Sequence, residues 1–522
     1  MLKEGAKSYS GIEEAVLKNI QACKELSVMV RTSMGPNGMN KMVINHLERL
    51  FVTSDARTII TELEVAHPAA KILALSANRQ WTEIGDGAGL VIAFAGELLT
   101  QAEQLLHMGL HPADILDGYV VAAARADALL DTLATETITD YSEEACIRVV
   151  KPAFESKIQG MSDFFSPLVV KACRQLMPPG SNTFNVDNVR VNKIVGGSFG
   201  MSAVVNGMVL PRDTEGTIKS IENAKIVIFN TEVETVNTEN KGTVLIENSE
   251  QLMNYNKSEE AAMEAMIKSI ADTGANVIIT GNKFSELAEH YCERYGMMML
   301  KILSKFELRR VCKTVGAAML AKLGPPSADE LGECASISVQ EFGDTRVTVF
   351  RHADINSQIS TLLLRGATKN GLDDLQRAIE NSVNCMKVFL GDGRLCAGGG
   401  ATEIELARKI YAEGEATPGM EQYAIKKFSE ALEVVPRTLA ENGGQIATDV
   451  ISSIYAAHQA GKTSDGVDIE EGGTKDMMAA GIVDVLATRK SAIKMASDAA
   501  ITILRVDTII MAKQAGGPKP GR

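Results

Sequence analysis

A glycine-rich turn followed by a long apolar stretch is the feature that most constrains this chain. Gly85-Asp86-Gly87-Ala88-Gly89 precedes residues 90–108, in which apolar side chains recur at helical spacing. Glycines leave the backbone N–H groups of such a turn accessible, and the next helix begins with N–H groups that have no intrahelical partner. The turn is therefore suited to phosphate oxygens, and Asp86 stands where a phosphate-bound Mg²⁺ needs an oxygen ligand. An isolated turn of this kind is more often a tight connection between helices with an Asp cap, so the interpretation depends on the rest of the chain.

The bulk composition limits the classes of partner. The chain has 522 residues, which suggests about three or four domain-sized units. Its net charge of −13 argues against nucleic acid as the main partner. Only 5% of the residues are aromatic, which favours long packed helices over surfaces built for stacking.

The cysteines and the chain ends predict a reducing compartment. Eight cysteines occur without a CxxC pair or a histidine at metal-ligand spacing, so we expect reduced, mostly buried thiols and no zinc site. The first residues lack the apolar stretch of a signal peptide, and no run of about 18 apolar residues is long enough to span a membrane. We therefore expect a cytoplasmic protein without a membrane partner.

The order of elements along the chain predicts a nested architecture. Both ends show helical spacing, with predicted helices at 10–31, 68–81, 90–108, 112–133, 402–413, 420–442, 445–459 and 485–513. The middle of the chain instead alternates short apolar runs, at 226–229, 277–279 and 297–303, with helical stretches. Residues 231–257 form a polar insertion that is too long for an ordinary loop. The pattern predicts a helical domain built from both chain ends around an inserted α/β domain.

Four turns stand out because each one begins or ends a predicted helix. They are Gly35-Pro36-Asn37-Gly38, Ser54-Asp55-Ala56, Gly85-Asp86-Gly87 and Gly398-Gly399-Gly400. No single turn is specific, but the four together favour a nucleotide site over a set of ordinary connections.

Matched one by one, these segments resemble the signature of the group II chaperonins. Residues 33–41 are similar to the family's TLGPxGxxK, residues 52–56 to its TNDG segment, 364–368 to LRGGT and 398–403 to GGGAxE. His67-Pro68-Ala69-Ala70-Lys71 matches HPAAK outright. The resemblance runs nearly from end to end, and three further segments, at 304–310, 400–406 and 510–518, indicate one particular paralogue of the eukaryotic cytosolic chaperonin.

The resemblance implies a multi-domain chaperonin fold and an ATP-driven folding machine. The mostly helical equatorial domain would comprise residues 1–137 and 397–522, the mixed intermediate domain 138–205 and 361–396, and the α/β apical domain 206–360. The insertion at 231–257 would carry a helical protrusion that forms a lid. Expected partners are paralogous subunits in a hetero-oligomeric double ring and unfolded clients such as actin and tubulin. ATP or ADP with Mg²⁺ would be the ligands.

The resemblance also assigns roles to single residues. Asp86 would bind Mg²⁺, and Asp55 would orient the attacking water as part of the catalytic set. The nucleotide itself would be bound by Met34, Gly35, Pro36, Gly87, Ala88, Gly89, Leu90, Lys157, Gly399 and Asp484. Such a set supplies positioning and charge neutralisation, which phosphoryl transfer mainly needs.

Two departures from the family pattern concern hydrolysis. Ala88 and Gly89 replace two threonines of the family's GDGTT, so two hydroxyl groups are missing. Asn381 stands where the family has the aspartate that activates water, and an amide cannot accept the proton of water. Glu380 is adjacent, but one residue turns a helical side chain by about 100°, which makes it a poor substitute. The resulting hypothesis is that this subunit binds ATP but hydrolyses it slowly or not at all. The alternative to a subunit that folds proteins with ATP is therefore a nucleotide-binding, hydrolysis-poor subunit with a structural or regulatory role in the same ring.

Overall fold

The chain divides into two units, and the computed structural model describes most of both. The described residues are 7–10, 15–178, 181–234, 249–343, 345–352 and 359–511. One unit combines residues 1–170 with 374–522, and the other comprises residues 171–373. A unit built from both chain ends around an insertion agrees with the predicted nesting. The three-domain division at the predicted boundaries remains a prediction.

The first part of the chain is mainly helical. Its elements are β1 (Lys7–Ser10), α1 (Leu17–Arg31), β2 (Lys41–Ile44), β3 (Leu50–Thr53), α2 (Ala56–Glu62), α3 (Pro68–Glu83), α4 (Ala88–His107), α5 (Pro112–Thr132), β4 (Glu136–Thr137), α6 (Glu143–Glu155) and α7 (Ser162–Gln175). The predicted helix at 10–31 is too long, because Ser10 ends a strand that pairs with residues 508–511. His67 and His111 each accept a hydrogen bond from a backbone N–H two residues later, so both histidines cap helices that begin with proline.

The middle of the chain alternates strands and helices. Its elements are β5 (Val189–Val195), β6 (Ala203–Leu210), β7 (Ser220–Phe229), α8 (Ser249–Asp272), β8 (Val277–Thr280), α9 (Glu286–Arg294), β9 (Met298–Lys301), α10 (Lys305–Val315), β10 (Met319–Leu320), β11 (Gly332–Phe342), β12 (Thr345–Arg351), β13 (Ser360–Gly366) and α11 (Lys369–Gly391). Most of the predicted polar insertion, residues 235–248, lies outside the described residues, and α8 begins at Ser249, within the predicted insertion.

The last part of the chain returns to helices with short strands between them. Its elements are β14 (Arg394–Ala397), α12 (Ala401–Ala416), α13 (Glu421–Leu432), α14 (Val434–Asn442), α15 (Ala447–Gln459), β15 (Asp465–Val467), β16 (Thr474–Asp476), β17 (Val483–Val485), α16 (Leu486–Leu504) and β18 (Thr508–Met511). The predicted helix at 420–442 is two helices, which meet at Glu433. The predicted helix at 485–513 ends at Leu504, because β18 pairs with β1.

Helix α4 is the centre of the first unit. Its apolar side chains from Ala88 to Leu99 are buried all around the helix, whereas its second half carries polar side chains on one face. Phe94 contacts Phe428 of α13 edge to face, with ring centroids 5.4 Å apart. Tyr119 of α5 also packs on Phe428, and its hydroxyl donates a hydrogen bond to the carbonyl of Leu98. At Gly96, a β-carbon would lie 2.2 Å from that of Ser27, so α1 and α4 pack together only because glycine is present. These contacts hold α4 in a fixed position in the core of the first unit.

The second unit is built on a mixed sheet that is covered on both faces. The strand order is β5-β13-β6-β12-β11-β7-β8-β9, and β10 pairs with β7. Alternate residues of the parallel strands β7, β8 and β9 enter two separate cores, one with α10 and the other with α8 and α9. Met297, Met298 and Met299 are therefore core residues, as predicted for a buried strand. Across the described residues, no helix is both long enough and apolar enough to cross a membrane.

Candidate functional site

The turn before α4 requires glycine at two positions. Gly85 and Gly87 have φ values of 87° and 85°, in the left-handed region that side chains with a β-carbon rarely adopt. A β-carbon at Gly87 would lie 3.2 Å from Nε2 of Gln80, which donates a hydrogen bond to the carbonyl of Asp86. Since Gly87 is the N-cap of α4 and offers no side-chain cap, the first N–H groups of this helix are left for another acceptor.

Asp86 lies in the middle of this turn, where both positive and negative side chains act on it. Burial raises the pKa of its carboxyl group, although Lys157, Arg489 and the N–H of Gly87 favour the ionised form. The surrounding protein therefore supplies too little positive charge to compensate an ionised Asp86. A divalent cation would supply it, and one carboxylate together with phosphate oxygens and water is the usual ligand set of Mg²⁺.

Asp55 differs from Asp86 because its charge is compensated within the protein. It is the N-cap of α2, and its Oδ2 accepts hydrogen bonds from the backbone N–H and the hydroxyl of Thr58. Its Oδ1 lies 3.3 Å from Nζ of Lys157, and both side chains are largely buried. Burial opposes ionisation, but Lys157 and Thr58 together hold the pKa of Asp55 below its ordinary value. Lys157 thus pairs directly with Asp55 and also acts on Asp86.

The turn after α1 adjoins the start of α4. A β-carbon at Gly89 would lie 3.6 Å from Cγ of Met34, so the two segments are in contact. Gly35 has a φ of 79°, and a β-carbon there would lie 2.5 Å from Leu439 of α14. Asn442, at the end of α14, donates hydrogen bonds to the carbonyls of Met34 and Arg31 and so fixes this turn.

The turn before α12 packs against the same helix α14. A β-carbon at Gly400 would lie 2.8 Å from Cβ of Pro436, one helical turn before Leu439. The carbonyl of Gly399 accepts a hydrogen bond from the N–H of Val467, so β15 adjoins this turn. Helix α14 therefore contacts two of the four predicted turns.

Asp484 lies on β17 beside the same turn. Its Oδ2 would be 3.3 Å from a β-carbon at Gly398. Arg489 donates to Asp484 through Nε at 3.1 Å, and its Nη1 lies 3.0 Å from Oε1 of the buried Glu403. Asp484 is thus already paired with a cation, in contrast to Asp86.

Helix α11 approaches the glycine turn from another direction. A β-carbon at Gly85 would lie only 2.2 Å from Cγ of Asn384. Asn381, one helical turn earlier, is 5% exposed, whereas Glu380 is only half-buried. The charge of Glu380 acts on Arg57 of α2, which is also influenced by Asp55.

The structure thus brings most of the predicted residues to neighbouring segments. Contacts connect the four turns through the start of α4 and through α14, and the charge of Lys157, which pairs with Asp55, also acts on Asp86. Ala88 and Leu90 are buried in the first turn of α4. Pro36 is half-buried in its turn. The roles of all these residues in binding remain predictions.

Sequence reasoning missed the side chains that hold the turns in place. Gln80 donates to the carbonyls of Asp86 and of the distant Thr488, Asn442 donates to the carbonyl of Met34, and Arg489 pairs with Glu403, three residues after the turn at Gly400. Helical spacing places them on helices, but no local signal shows which of their neighbours they contact. Within the described part of the chain, we find no group of three acidic, histidine or cysteine side chains that could bind a metal ion without a ligand's help.

Comparison with known proteins gives consistent matches over the whole length. The model of the TCP-1/cpn60 chaperonin family matches residues 26–514. The chain is 50% identical to the theta subunit of T-complex protein 1 from Homo sapiens, over 100% of this chain and 95% of that protein. It is 51% identical to the theta subunits from Gallus gallus and Arabidopsis thaliana, over 100% and 99% of this chain and 95% of each relative. These matches agree with the family and the paralogue that the sequence motifs indicated.

Proposed function

The chain belongs to the TCP-1/cpn60 chaperonin family, and we propose that it is the theta-type subunit of a hetero-oligomeric chaperonin that folds other proteins with ATP. Its relatives' name, T-complex protein 1 subunit theta, supports partners that are paralogous subunits. A double ring in the cytosol and clients such as actin and tubulin follow from the family. The relationship favours a working chaperonin subunit over a subunit with only a structural role.

The nucleotide site is proposed at the start of α4. The observation that carries this proposal is the uncapped, glycine-lined N-terminus of α4, with the partly compensated Asp86 beside it. Phosphate oxygens would accept hydrogen bonds from the N–H groups of residues 88–90, and the turns at Gly35 and Gly399 would contact the rest of the nucleotide. Asp86 would hold Mg²⁺, which supplies positive charge to the phosphates when it is bound.

The protein's own side chains would divide the remaining work. Lys157, paired with Asp55 in the structure, would add positive charge near the terminal phosphate. Asp55 remains ionised because of that pair and the hydrogen bonds from Thr58, so it can accept a hydrogen bond from water and orient it. The two threonine hydroxyl groups of the family's GDGTT segment are absent, because Ala88 and Gly89 stand in their places.

The two units would then correspond to a nucleotide-binding part and a client-binding part. Residues 1–137 and 397–522 are proposed as the equatorial domain, 138–205 and 361–396 as the intermediate domain, and 206–360 as the apical domain. Binding of nucleotide at α4 would bias the arrangement of these domains, as in other proteins whose conformational change is coupled to phosphate contacts.

Calorimetric titration of the purified full-length chain with MgADP tests the nucleotide site. We expect one binding site, and we expect Asp86→Ala to lose at least tenfold in affinity for MgADP. The exposed Asp117→Ala, in α5, serves as a matched control with unchanged affinity and an unchanged melting temperature. Affinity for MgADP that is equal in Asp86→Ala and the parent chain would contradict the proposed site. Assembly is tested separately, by isolating the tagged chain from cells and measuring the particle: a monomer of the chain's own mass would contradict the ring.

A further inference from the structure

A cation–π pair lies beside the candidate site. Arg57 follows Asp55 by two residues in α2, and its Cζ lies 3.1 Å from the ring centroid of Trp81, the single tryptophan of the chain. Stacking of this kind holds a guanidinium group in one orientation. The carboxylates of Asp55 and of Glu380 in α11 both favour the charged form of Arg57, so the three groups interact electrostatically.

The geometry of α11 decides which of its side chains faces the glycine turn. Asn384 approaches Gly85 so closely that a β-carbon on the glycine would overlap it, so Asn384 marks the face of α11 that is turned toward Asp86. At about 100° per residue, Glu380 lies about 40° from Asn384 around the helix, and Asn381 about 60° on the other side. Glu380 is therefore at least as well directed toward the turn as Asn381, contrary to what its position next to Asn381 suggested.

Chemistry and burial separate these two residues further. Asn381 is 5% exposed and carries an amide, which cannot take a proton from water. Glu380 is half-buried, so part of its side chain is accessible to solvent and to a ligand. Gln376 donates a hydrogen bond of 2.6 Å to Oε1 of Glu380.

We propose that Glu380, within electrostatic range of Arg57, accepts the proton of the attacking water when this subunit hydrolyses ATP. In this step the water oxygen forms a bond to the γ-phosphorus, and the bond from that phosphorus to the β–γ bridging oxygen breaks. ADP departs with the electron pair, and the proton of the water moves to Glu380 and later to solvent. The inference rests on the proposed nucleotide site. It adds a general base, Glu380, because the amide of Asn381 cannot accept a proton.

The test uses the assembled complex in which the other subunits are unable to hydrolyse ATP. We expect Glu380→Gln to lower kcat about 10²–10³-fold, the range of general-base catalysis, with the affinity for MgADP changed less than twofold. Arg57→Ala should lower kcat about tenfold without raising KM, and Arg57→Lys should restore part of it. The double variant Glu380→Gln/Asn381→Asp moves the carboxylate by one residue and should recover turnover. Glu144→Gln, an exposed residue of α6, is the matched control and should equal the parent complex.

The fluorescence of Trp81 gives a second readout for Arg57, because its indole is stacked under the guanidinium. Parent-like kcat in Glu380→Gln would overturn the inference while leaving the nucleotide site intact. A parent subunit that binds MgADP but does not hydrolyse ATP would overturn it too. Absence of both binding and hydrolysis would overturn the proposed function together with the inference.

Discussion

Lys157 acts on both Asp55 and Asp86, yet we predict that replacing Asp55 lowers the stability of the chain whereas replacing Asp86 does not. The perturbation is Asp55→Asn or Asp86→Asn in the nucleotide-free chain. Asparagine is as good an N-cap as aspartate, so Asp55→Asn keeps the bond from the N–H of Thr58 and removes mainly the ion pair with Lys157. For Asp86, the substitution removes a charge whose burial is only partly compensated.

The magnitude follows from the geometry of the pair. Two unit charges 3.3 Å apart attract with about 5 kcal/mol at an effective dielectric constant of 20. Desolvation of the two groups cancels part of this attraction. In Asp55→Asn, the charge of Lys157 still interacts with Asp86, which reduces the loss further. A hydrogen bond to a charged group typically contributes about 1.5–3 kcal/mol, and we expect Asp55→Asn to lower the free energy of unfolding by this amount at pH 7. Asp86→Asn should leave this free energy unchanged or raise it.

The pH dependence has a sign for each residue. Because the pKa of Asp55 is lowered in the folded state, its stabilisation is present above the pKa of an unfolded aspartate, about 3.9, and is lost as the pH falls through the folded value. The pKa of Asp86 is raised, so its contribution is present below about 3.9 and is lost as the pH rises through the folded value. The advantage of Asp86→Asn should therefore be greatest near neutral pH.

Urea denaturation followed by circular dichroism, at several pH values between 3 and 8, measures these differences. The transition of the unit that contains α4 is the relevant one, since two units need not unfold together. An equal loss of stability in Asp55→Asn and Asp86→Asn at pH 7 would refute the reasoning about compensated and uncompensated charge.

Two further predictions concern the packing around α4. Gly87→Ala should destabilise the chain by about 1–2 kcal/mol, because alanine is strained at a φ of 85° and its β-carbon meets Gln80, whereas Gly89→Ala should be neutral or stabilise it by up to about 1 kcal/mol; thermal unfolding of the pair checks this, and equal melting temperatures would contradict it. Phe428→Ala should cost about 3–5 kcal/mol, because the fully buried ring contacts Phe94 and leaves a cavity; denaturant unfolding measures the loss, and a loss below 1 kcal/mol would contradict the packing described.

Long helices with strong periodicity could be predicted from the sequence, and their caps with them. Helix α4 and the histidine caps of α3 and α5 depend on local spacing and on proline at the first turn, so the residues nearby determine them. The strands β15, β16, β17 and β18 could not be predicted, because each has only three or four residues, too few for a clear alternation. In addition, β17 and β18 pair with strands that are distant in the sequence, β14 and β1.

The candidate site shows the same division. Turns that require left-handed glycines are visible in the sequence, since few other residues can replace glycine there. The opposite pKa shifts of Asp55 and Asp86 were not visible, because they depend on burial and on the position of Lys157, which is 102 residues from Asp55. Likewise, the direction of Glu380 follows only from the contact of Asn384 with Gly85.

The central claim is that turns far apart in the sequence form one nucleotide site at the start of α4. An electron cryo-microscopy map of the assembled complex with bound MgADP tests it most directly. The account predicts phosphate density at the N–H groups of residues 88–90, the ion beside Asp86, and contacts from the turns at Gly35 and Gly399. Nucleotide density elsewhere in this subunit, or none at saturating MgADP, would contradict it.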